Sequence, residues 1–319
     1  YRNRRRFNAA FFAYQRQTHM RVKRNTPFTD DARYFEENPI NSAIEYKDHV
    51  FALNFGREIQ LTDININLDA AMFTLDQDVS LKGNVIYANA VGMQNSGKEV
   101  VVMQGGSGVR IAKKTIYQAD WFQEEMHIVE LSETKEELPS QPKLLDALLM
   151  GIRDFDSQVF GGRVPWIVGM SGGLDSSVTA ALLCAALGKE RVYGYNIATQ
   201  HNSSTTISNA AKEAQALGIH YKEGNMKSLI QASAELLRQE YGYDVEEMPS
   251  LVMENLQARS RGYLLSGFAG ILGGVVVNNG NKVETALGYC TLYGDSIGAL
   301  SVIGDLTKVQ RSEEHTSEL

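Results

Sequence analysis

Two cysteines in 319 residues leave nothing from which to build a disulfide framework, and so thiol-poor a chain suits a reducing compartment, so a cytoplasmic location is expected. No apolar run approaches the ~18 residues that a membrane-spanning helix needs, so no membrane partner is expected. The six histidines are scattered, His19, His49, His127 and His220 among them, and none stands at a metal-ligand spacing, which excludes a zinc site. Excess positive charge is missing too: 31 Lys and Arg against 38 Asp and Glu give a net charge of -7, so the whole chain is not a basic nucleic-acid binder. There is no internal repeat and no low-complexity tract. What is present, 43% hydrophobic and 22% charged residues, is the composition of a globular protein, and the length is enough for about two domains.

The two ends differ from the middle. Tyr1 to Asn25 carries seven Arg, one Lys and no acidic residue. A basic arm, a transit peptide and a domain cut open are the three readings of such a start. Phe7 to Ala13 is apolar enough for a buried strand and favours the cut domain. At the other end, Arg311 to Leu319 follows Gln310 with no turn signal and a sudden loss of apolar pattern. The expectation there is a translated sequencing-adapter tail, with an ordinary polar tail as the alternative; His315 is a site candidate on neither.

Between these ends, residues 1–131 read as strand-rich. Val85 to Gly92 is a buried-strand run, Glu99 to Met103 is another, closed by Gly105-Gly106, and Met126 to Leu131 alternates like a half-buried strand. Residues 132–143 are polar, charged and hold two prolines, which marks a linker. From Leu144 the pattern changes. Leu144 to Ile152 has helical apolar spacing, Pro165 to Met170 is a short apolar strand, Val178 to Leu187 a helix stopped by Gly188, Arg191 to Asn196 a strand, and Ser208 to Leu217 a helix ended by Gly218. Alternating strands and helices predict a parallel α/β sheet over 144–310.

Ser171-Gly172-Gly173-Leu174-Asp175-Ser176-Ser177 sits between the first of those strands and the helix after it. Adjacent glycines let backbone N–H groups approach an anion, and the helix that follows turns its unpaired N–H groups and positive dipole end to the same point. Ser171, Ser176 and Ser177 add hydroxyl donors. Asp175 is out of place beside an anion unless a Mg²⁺ bridges it to phosphate oxygens. The Lys of a Walker A loop is missing, and the GxGxxG spacing as well. An ordinary Ser/Gly turn with Asp175 in the first helical turn is the plainer alternative. Cys184, in an apolar helix, and Cys290 read as buried small hydrophobes.

SGGxDS after a strand resembles the pyrophosphate loop of the ATP pyrophosphatases, which cleave ATP to AMP and pyrophosphate while adenylating a substrate. Further segments in order narrow the resemblance: Glu254 to Arg261 (ENLQARSR), Asn278 to Glu284 (NNGNKVE), Leu287 to Asp295 (LGYCTLYGD) and Gly304 to Lys308 (GDLTK). Over about 145–310 the chain resembles NAD⁺ synthetase, specifically the synthetase half of the glutamine-dependent type. The resemblance implies that Gly169, Met170, Ser171, Gly172, Gly173, Leu174, Asp175 and Ser176 line the ATP phosphates, with Asn279 (where the family often has Thr) and Lys308. It implies that Asp175 and Glu284 hold Mg²⁺, and that Asn255, Arg259, Glu284, Tyr289 and Asp295 contact deamido-NAD, with Tyr289 stacking on the pyridine ring. Residues 201–206 resemble the family's polar loop near ATP. Glu254, Arg259 and Arg261 also fit a solvated helix face, and Tyr289 fits core packing.

The first part resembles the later portion of a nitrilase-like glutaminase domain. Lys23 to Pro27 looks like the stretch holding the family's catalytic Lys, with Lys23 as its possible counterpart. Phe28 to Phe35 looks like its FDEKRYF segment, and Asn84 to Gln94 like its VVYVNAVGGQ strand. Where the family reads EICED, Glu58 to Asp63 reads EIQLTD, which puts Gln60 at the expected nucleophile position. An amide cannot replace a thiolate, and no cysteine precedes residue 184, so a degenerate glutaminase without hydrolytic activity is expected.

The expected architecture is therefore α/β: a partial nitrilase-like α/β sandwich over 1–131, a linker over 132–143, a doubly wound, Rossmann-like parallel sheet of the adenine nucleotide alpha hydrolase type over 144–310, truncated, and the tail 311–319. The expected function is a ligase that adenylates deamido-NAD with Mg-ATP and amidates it with ammonia, working as a homo-oligomer with small-molecule substrates. A nucleotide-binding fragment without turnover, or an ATP pyrophosphatase amidating another carboxylate, are the alternatives.

Overall fold

The computed structural model describes residues 6–24, 31–36, 43–95, 99–132, 140–198, 204–242 and 247–310 of the chain. The tail 311–319, the linker residues 133–139, residues 25–30 and His201 to Ser203 lie outside the described residues. The chain divides into two compact units, Tyr1–Gly151 and Ile152–Leu319.

In the first unit, strands β1 (Ala9–Tyr14) and β2 (Gln17–Val22) form a hairpin, followed by the single helical turn α1 (Asp31–Tyr34). Strands β3 (Ile44–Tyr46), β4 (His49–Phe55), β5 (Ile64–Asp69) and β6 (Val85–Asn89) come next, then the hairpin of β7 (Val91–Asn95) and β8 (Val100–Gln104), then β9 (Gly108–Ile111) and β10 (Lys114–Gln118). The main sheet runs β10-β9-β6-β5-β4-β3, with β4, β5 and β6 parallel. Period-two alternation sorts its two faces. Phe51, Leu53, Ile64, Ile66 and Ile86 point to an apolar core shared with Ala10 and Phe12 of β1. The opposite face carries Asn54, Asn65 and Asn67, each at most 1% exposed.

Those asparagines explain an unusual connection. Parallel neighbours normally need a crossover of a dozen or more residues, usually helical, yet only residues 56–63 join β4 to β5 and none of them is helical. A helix satisfies its own backbone, whereas a strap lying on a sheet must find partners elsewhere. Asn67 Nδ2 donates to the carbonyls of Gly56 (2.9 Å) and Glu58 (2.7 Å), and Gln60 N donates to Asn65 Oδ1 (2.8 Å). Asn54 Nδ2 donates to Asn65 Oδ1 (2.9 Å), and Gln60 Nε2 closes the network on Asn54 Oδ1 (2.6 Å).

Three expectations for this unit change. The run Val85 to Gly92 is two strands, because β6 belongs to the main sheet and β7 to a hairpin, with Ala90 between them. Met126 to Leu131 forms no strand: Met126 is 94% and Ile128 90% exposed, since an alternating segment with no paired neighbour has nothing to bury against. Phe7 to Ala13 supplies a strand, but a half-buried one, with Ala10 in the core and Phe11 63% exposed.

The second unit follows the expected alternation. Helix α2 (Leu144–Phe160) leads into β11 (Trp166–Gly169), α3 (Leu174–Leu187), β12 (Val192–Ala198), α4 (Ser204–Leu217), β13 (His220–Asn225), α5 (Lys227–Tyr241), α6 (Ser250–Leu272), β14 (Val275–Val276) and α7 (Lys282–Leu287). The sheet is all parallel in the order β13-β12-β11-β14. Trp166, Ile167 and Val168 are all 0% exposed, so the central strand is covered on both faces, as an uninterrupted apolar run predicts. On one face Ile167, Ile197 and Val276 pack with Met226, which caps α5, and with Leu265 and Ala269 of α6; α3 and α4 pack on the sheet as well. The first three strands step outward from β11, and then α5 and α6 carry the chain back to the other side of β11. That reversal opens a crevice at the carboxyl ends of β11 and β14, where open α/β sheets bind ligands.

Asp156 on α2 anchors this unit from within. It is 2% exposed and accepts from Trp166 Nε1 (2.9 Å) and from both terminal nitrogens of Arg191 (2.8 and 2.5 Å). Replacing Asp156 by Ala takes the carboxylate from the Arg191 guanidinium, which keeps only the Val164 carbonyl, and leaves the indole N–H without its partner, an expected loss of about 3 kcal/mol. Urea unfolding followed by tryptophan fluorescence measures it.

Candidate functional site

The loop after β11 begins at Gly169, and Gly172 has φ +76, a conformation open to glycine at little cost. Ser171 and Ser176 lock the loop. Ser176 Oγ donates to Gly173 O (2.9 Å) and accepts from Ser171 N (3.2 Å), while Ser171 Oγ accepts from Gly173 N (3.2 Å). Gly173 caps α3 without any side-chain hydrogen bond, so the first-turn N–H groups are left for a ligand.

The loop after β14 meets it. Asn279 Nδ2 donates to Gly169 O (2.8 Å), and its Oδ1 is buried with no partner. Asn281, 0% exposed, caps α7: its Oδ1 accepts from Val283 N (3.0 Å) and Glu284 N (3.2 Å), and its own N–H donates to Glu284 Oε2 (3.1 Å). This is a capping box. The same side chain donates from Nδ2 to Asp175 Oδ1 (3.4 Å). One buried asparagine thus links the two carboxylates at the starts of α3 and α7, Asp175 through its side-chain nitrogen and Glu284 through its backbone N–H, a donor set suited to a hard divalent cation.

A third segment closes the site. Asn255 Oδ1 on α6 accepts from Thr291 Oγ1 (2.9 Å), Arg259 Nε donates to Leu292 O (3.3 Å), and Thr291 N donates to Asp295 Oδ1 (2.7 Å). Gly262 and Gly294 allow this close approach: a Cβ on Gly262 would lie 2.6 Å from Tyr293 O, and one on Gly294 would lie 2.9 Å from the Ala258 Cβ.

The three segments enclose a cavity of about 570 Å³. Of the residues singled out from sequence, Gly169, Met170, Ser171, Asp175, Ser176, Asn279, Glu284 and Asp295 line it. Gly172 and Gly173 belong to the same loop, and Leu174 opens α3. Asn255, Arg259, Tyr289 and Lys308 do not line it; Tyr289 is 77% exposed, and Lys308 is exposed. In the first unit, Lys23 lies just past β2, and Gln60 is tied into the strap. Sequence reasoning missed Asn196, Arg261, Cys290 and Asn281. Cys290 is exposed and lines the cavity, not buried as expected, because the chain leaves α7 at Gly288 and runs on without a helix to bury it. Cys184 is half-buried, and burial pushes its thiol up to about 11, which keeps it protonated and inert. Asn281→Ser should retain the helix cap and lose the tie to Asp175, while Asn281→Ala loses both, at a cost of about 1 kcal/mol for the cap. Thermal melts of the two variants with and without a magnesium nucleotide separate the effects: only the Ala variant drops markedly alone, and both lose the ligand-induced rise.

Residues 160–315 match the family model described as NAD synthase. Over 311 residues the chain is 28% identical to the glutamine-dependent NAD(+) synthetase of Acinetobacter baylyi, covering 88% of this chain and 56% of that protein. It is 37% identical over 147 residues to the NH(3)-dependent NAD(+) synthetase of Methanococcoides burtonii, covering 46% of this chain and 54% of that one. The structure of the glutamine-dependent NAD+ synthetase from Acinetobacter baumannii in complex with ADP superimposes over 97% of this chain and 64% of its own, with a TM-score of 0.83 and 26% identity. The chain spans about half the length of the curated relatives it matches. The 160–315 segment thus matches the NAD synthase family model, and the chain is similar in sequence and fold to glutamine-dependent NAD(+) synthetases.

Proposed function

We propose that the second unit is an amide-forming ligase that adenylates the carboxylate of deamido-NAD with ATP, releases pyrophosphate, and lets ammonia displace AMP to give NAD⁺. The observation that carries this reading is the switch-point cavity, where a side-chain-uncapped helix start and two Asn281-linked carboxylates face one space. The ADP bound by the Acinetobacter baumannii neighbour supports an adenine nucleotide in it. A carboxylate is a poor acyl donor toward ammonia, and turning it into a mixed anhydride with AMP provides the leaving group.

The residues divide the work. The N–H groups of the 169–176 loop and the Ser171 hydroxyl hold the phosphate oxygens, while Ser176, bonded to Gly173 O, keeps the loop in shape. Asp175 and Glu284 would hold Mg²⁺, which when bound neutralises the charge of the departing pyrophosphate. Asn279 offers a buried acceptor, and Asp295 sets the wall formed by 291–295. The acceptor approaches along α6 and the 287–295 segment, where Asn255, Arg259 and Tyr289 meet it at the rim. Lys308 would reach the phosphates from the 308–310 turn.

Ammonia is the nitrogen source in this reading. Both cysteines belong to the second unit, so no thiolate stands in residues 1–151 to attack glutamine, and Gln60 holds the strap by its amide. A cytoplasmic location and a homo-oligomer belong to the same proposal. No helix among the described residues is long and apolar enough to cross a membrane. Leu287, Tyr289, Leu292 and Tyr293, all 66–81% exposed, offer a face for a second copy.

Exchange of labelled pyrophosphate into ATP, with Mg²⁺ and no nitrogen source, is the test. Exchange that depends on deamido-NAD is expected, together with a loss of at least about 100-fold in Asp175→Asn. Exchange independent of deamido-NAD would overturn the acceptor. With ammonium as donor NAD⁺ should form, and glutamine should not replace it.

A further inference from the structure

Successive residues on a helix turn by about 100°, so Ala258, Arg261 and Leu265 share one face of α6, and all three line the cavity. Arg259 falls on another side, where its Nε binds Leu292 O and its side chain is exposed. Of the two arginines in this helix segment, the structure puts Arg261 in the cavity.

Its surroundings define what it can bind. Leu265, one turn on, abuts the end of β11: a Cβ on Gly169 would come 3.1 Å from Leu265 Cδ1. Ala258, about one turn back, abuts Gly294. Arg261 therefore stands between the phosphate-loop wall and the wall formed by the segment around 290–297. Among the lining residues it is the one cation, against the carboxylates of Asp175, Glu284 and Asp295. Among the described residues its guanidinium makes no hydrogen bond and no ion pair. Burial disfavours its charged form and the nearby Asp295 favours it, and an arginine stays cationic in either case. A half-buried guanidinium with five donors unmet by protein acceptors carries a desolvation cost that a bound oxyanion would offset.

We propose that Arg261 docks an oxyanion of the bound substrates inside the cavity, either a phosphate of the nucleotide or the carboxylate to be activated. The shared chemistry is a planar guanidinium fork on a planar or tetrahedral oxyanion. It rests on the reading that the cavity takes an adenine nucleotide and a carboxylic acid.

Calorimetric titration of the full chain and its Arg261→Gln variant with ADP, AMP, adenosine, deamido-NAD and NAD⁺ separates the sources. If the partner is a phosphate, ADP and AMP bind about tenfold or more weakly in the variant, while neutral adenosine stays within about twofold. If it is the carboxylate, deamido-NAD weakens by that factor and NAD⁺, which carries the amide, does not. Arg261→Lys should recover part of the loss in whichever arm responds. Unchanged affinity for both ADP and deamido-NAD overturns the proposal, as does equal weakening of the charged ligands and their neutral counterparts, which marks a structural role. Should the Gln variant fail to fold, Arg261→Met, which keeps the apolar stem against Ala258 and Leu265, reads the same comparison. A parent chain that binds ADP but neither dinucleotide overturns the proposed acceptor and leaves the phosphate arm in force. One that binds none of the five overturns both.

Discussion

The Asn281 side chain holds the site to a single geometry. It caps α7 with its oxygen and reaches Asp175, 106 residues away, with its nitrogen, so one amide sets the starts of both helices. Both helix starts lie where the strand order reverses, between β11 and β14. The side-chain-uncapped start of α3 and the carboxylate-bearing start of α7 then address one cavity. Asn279, bonded to Gly169 O, keeps the two loops from separating. With no water in reach of the 0%-exposed Asn281 side chain, this buried amide is stronger than the same contact at the surface and costly to leave half-made.

Close packing along α6 depends on two missing side chains. Gly262 and Gly294 let the 290–295 segment lie directly on the helix, and Asn255 and Arg259 then fasten it by hydrogen bonds. In this structure those two residues fasten one wall of the cavity. Arg261 lines the cavity and Asn255 and Arg259 do not, which follows from the helical period of α6.

The first unit shows how a sheet keeps parallel neighbours without a helix between them. Asn54, Asn65 and Asn67 stand where a helix-covered sheet would carry aliphatic residues, and they satisfy the backbone of the 56–63 strap. The asparagines were visible at alternating positions in the strands. Their purpose was not, because it depends on a strap whose path no local pattern specifies. The same limit explains Met126 to Leu131, which has the alternation of a strand and no neighbour to pair with, and Cys290, whose exposure depends on where the chain goes after Gly288.

Local physics settled much from the sequence by itself. The glycine turn before α3, the apolar central strand, the helix stops at Gly188 and Gly218, and the alternation that makes a parallel sheet all lie within a few residues of their causes. The lack of any cysteine before residue 184 likewise bounds the chemistry of the first unit without coordinates. Only the tertiary structure decided which polar side chains meet. Asn281 with Asp175, Asn279 with Gly169, and Arg261 rather than Arg259 inside the cavity are pairings across loops or turns of a helix. They are determined by the order of strands and the rotation of α6, which arise from packing the whole core and not from any one segment.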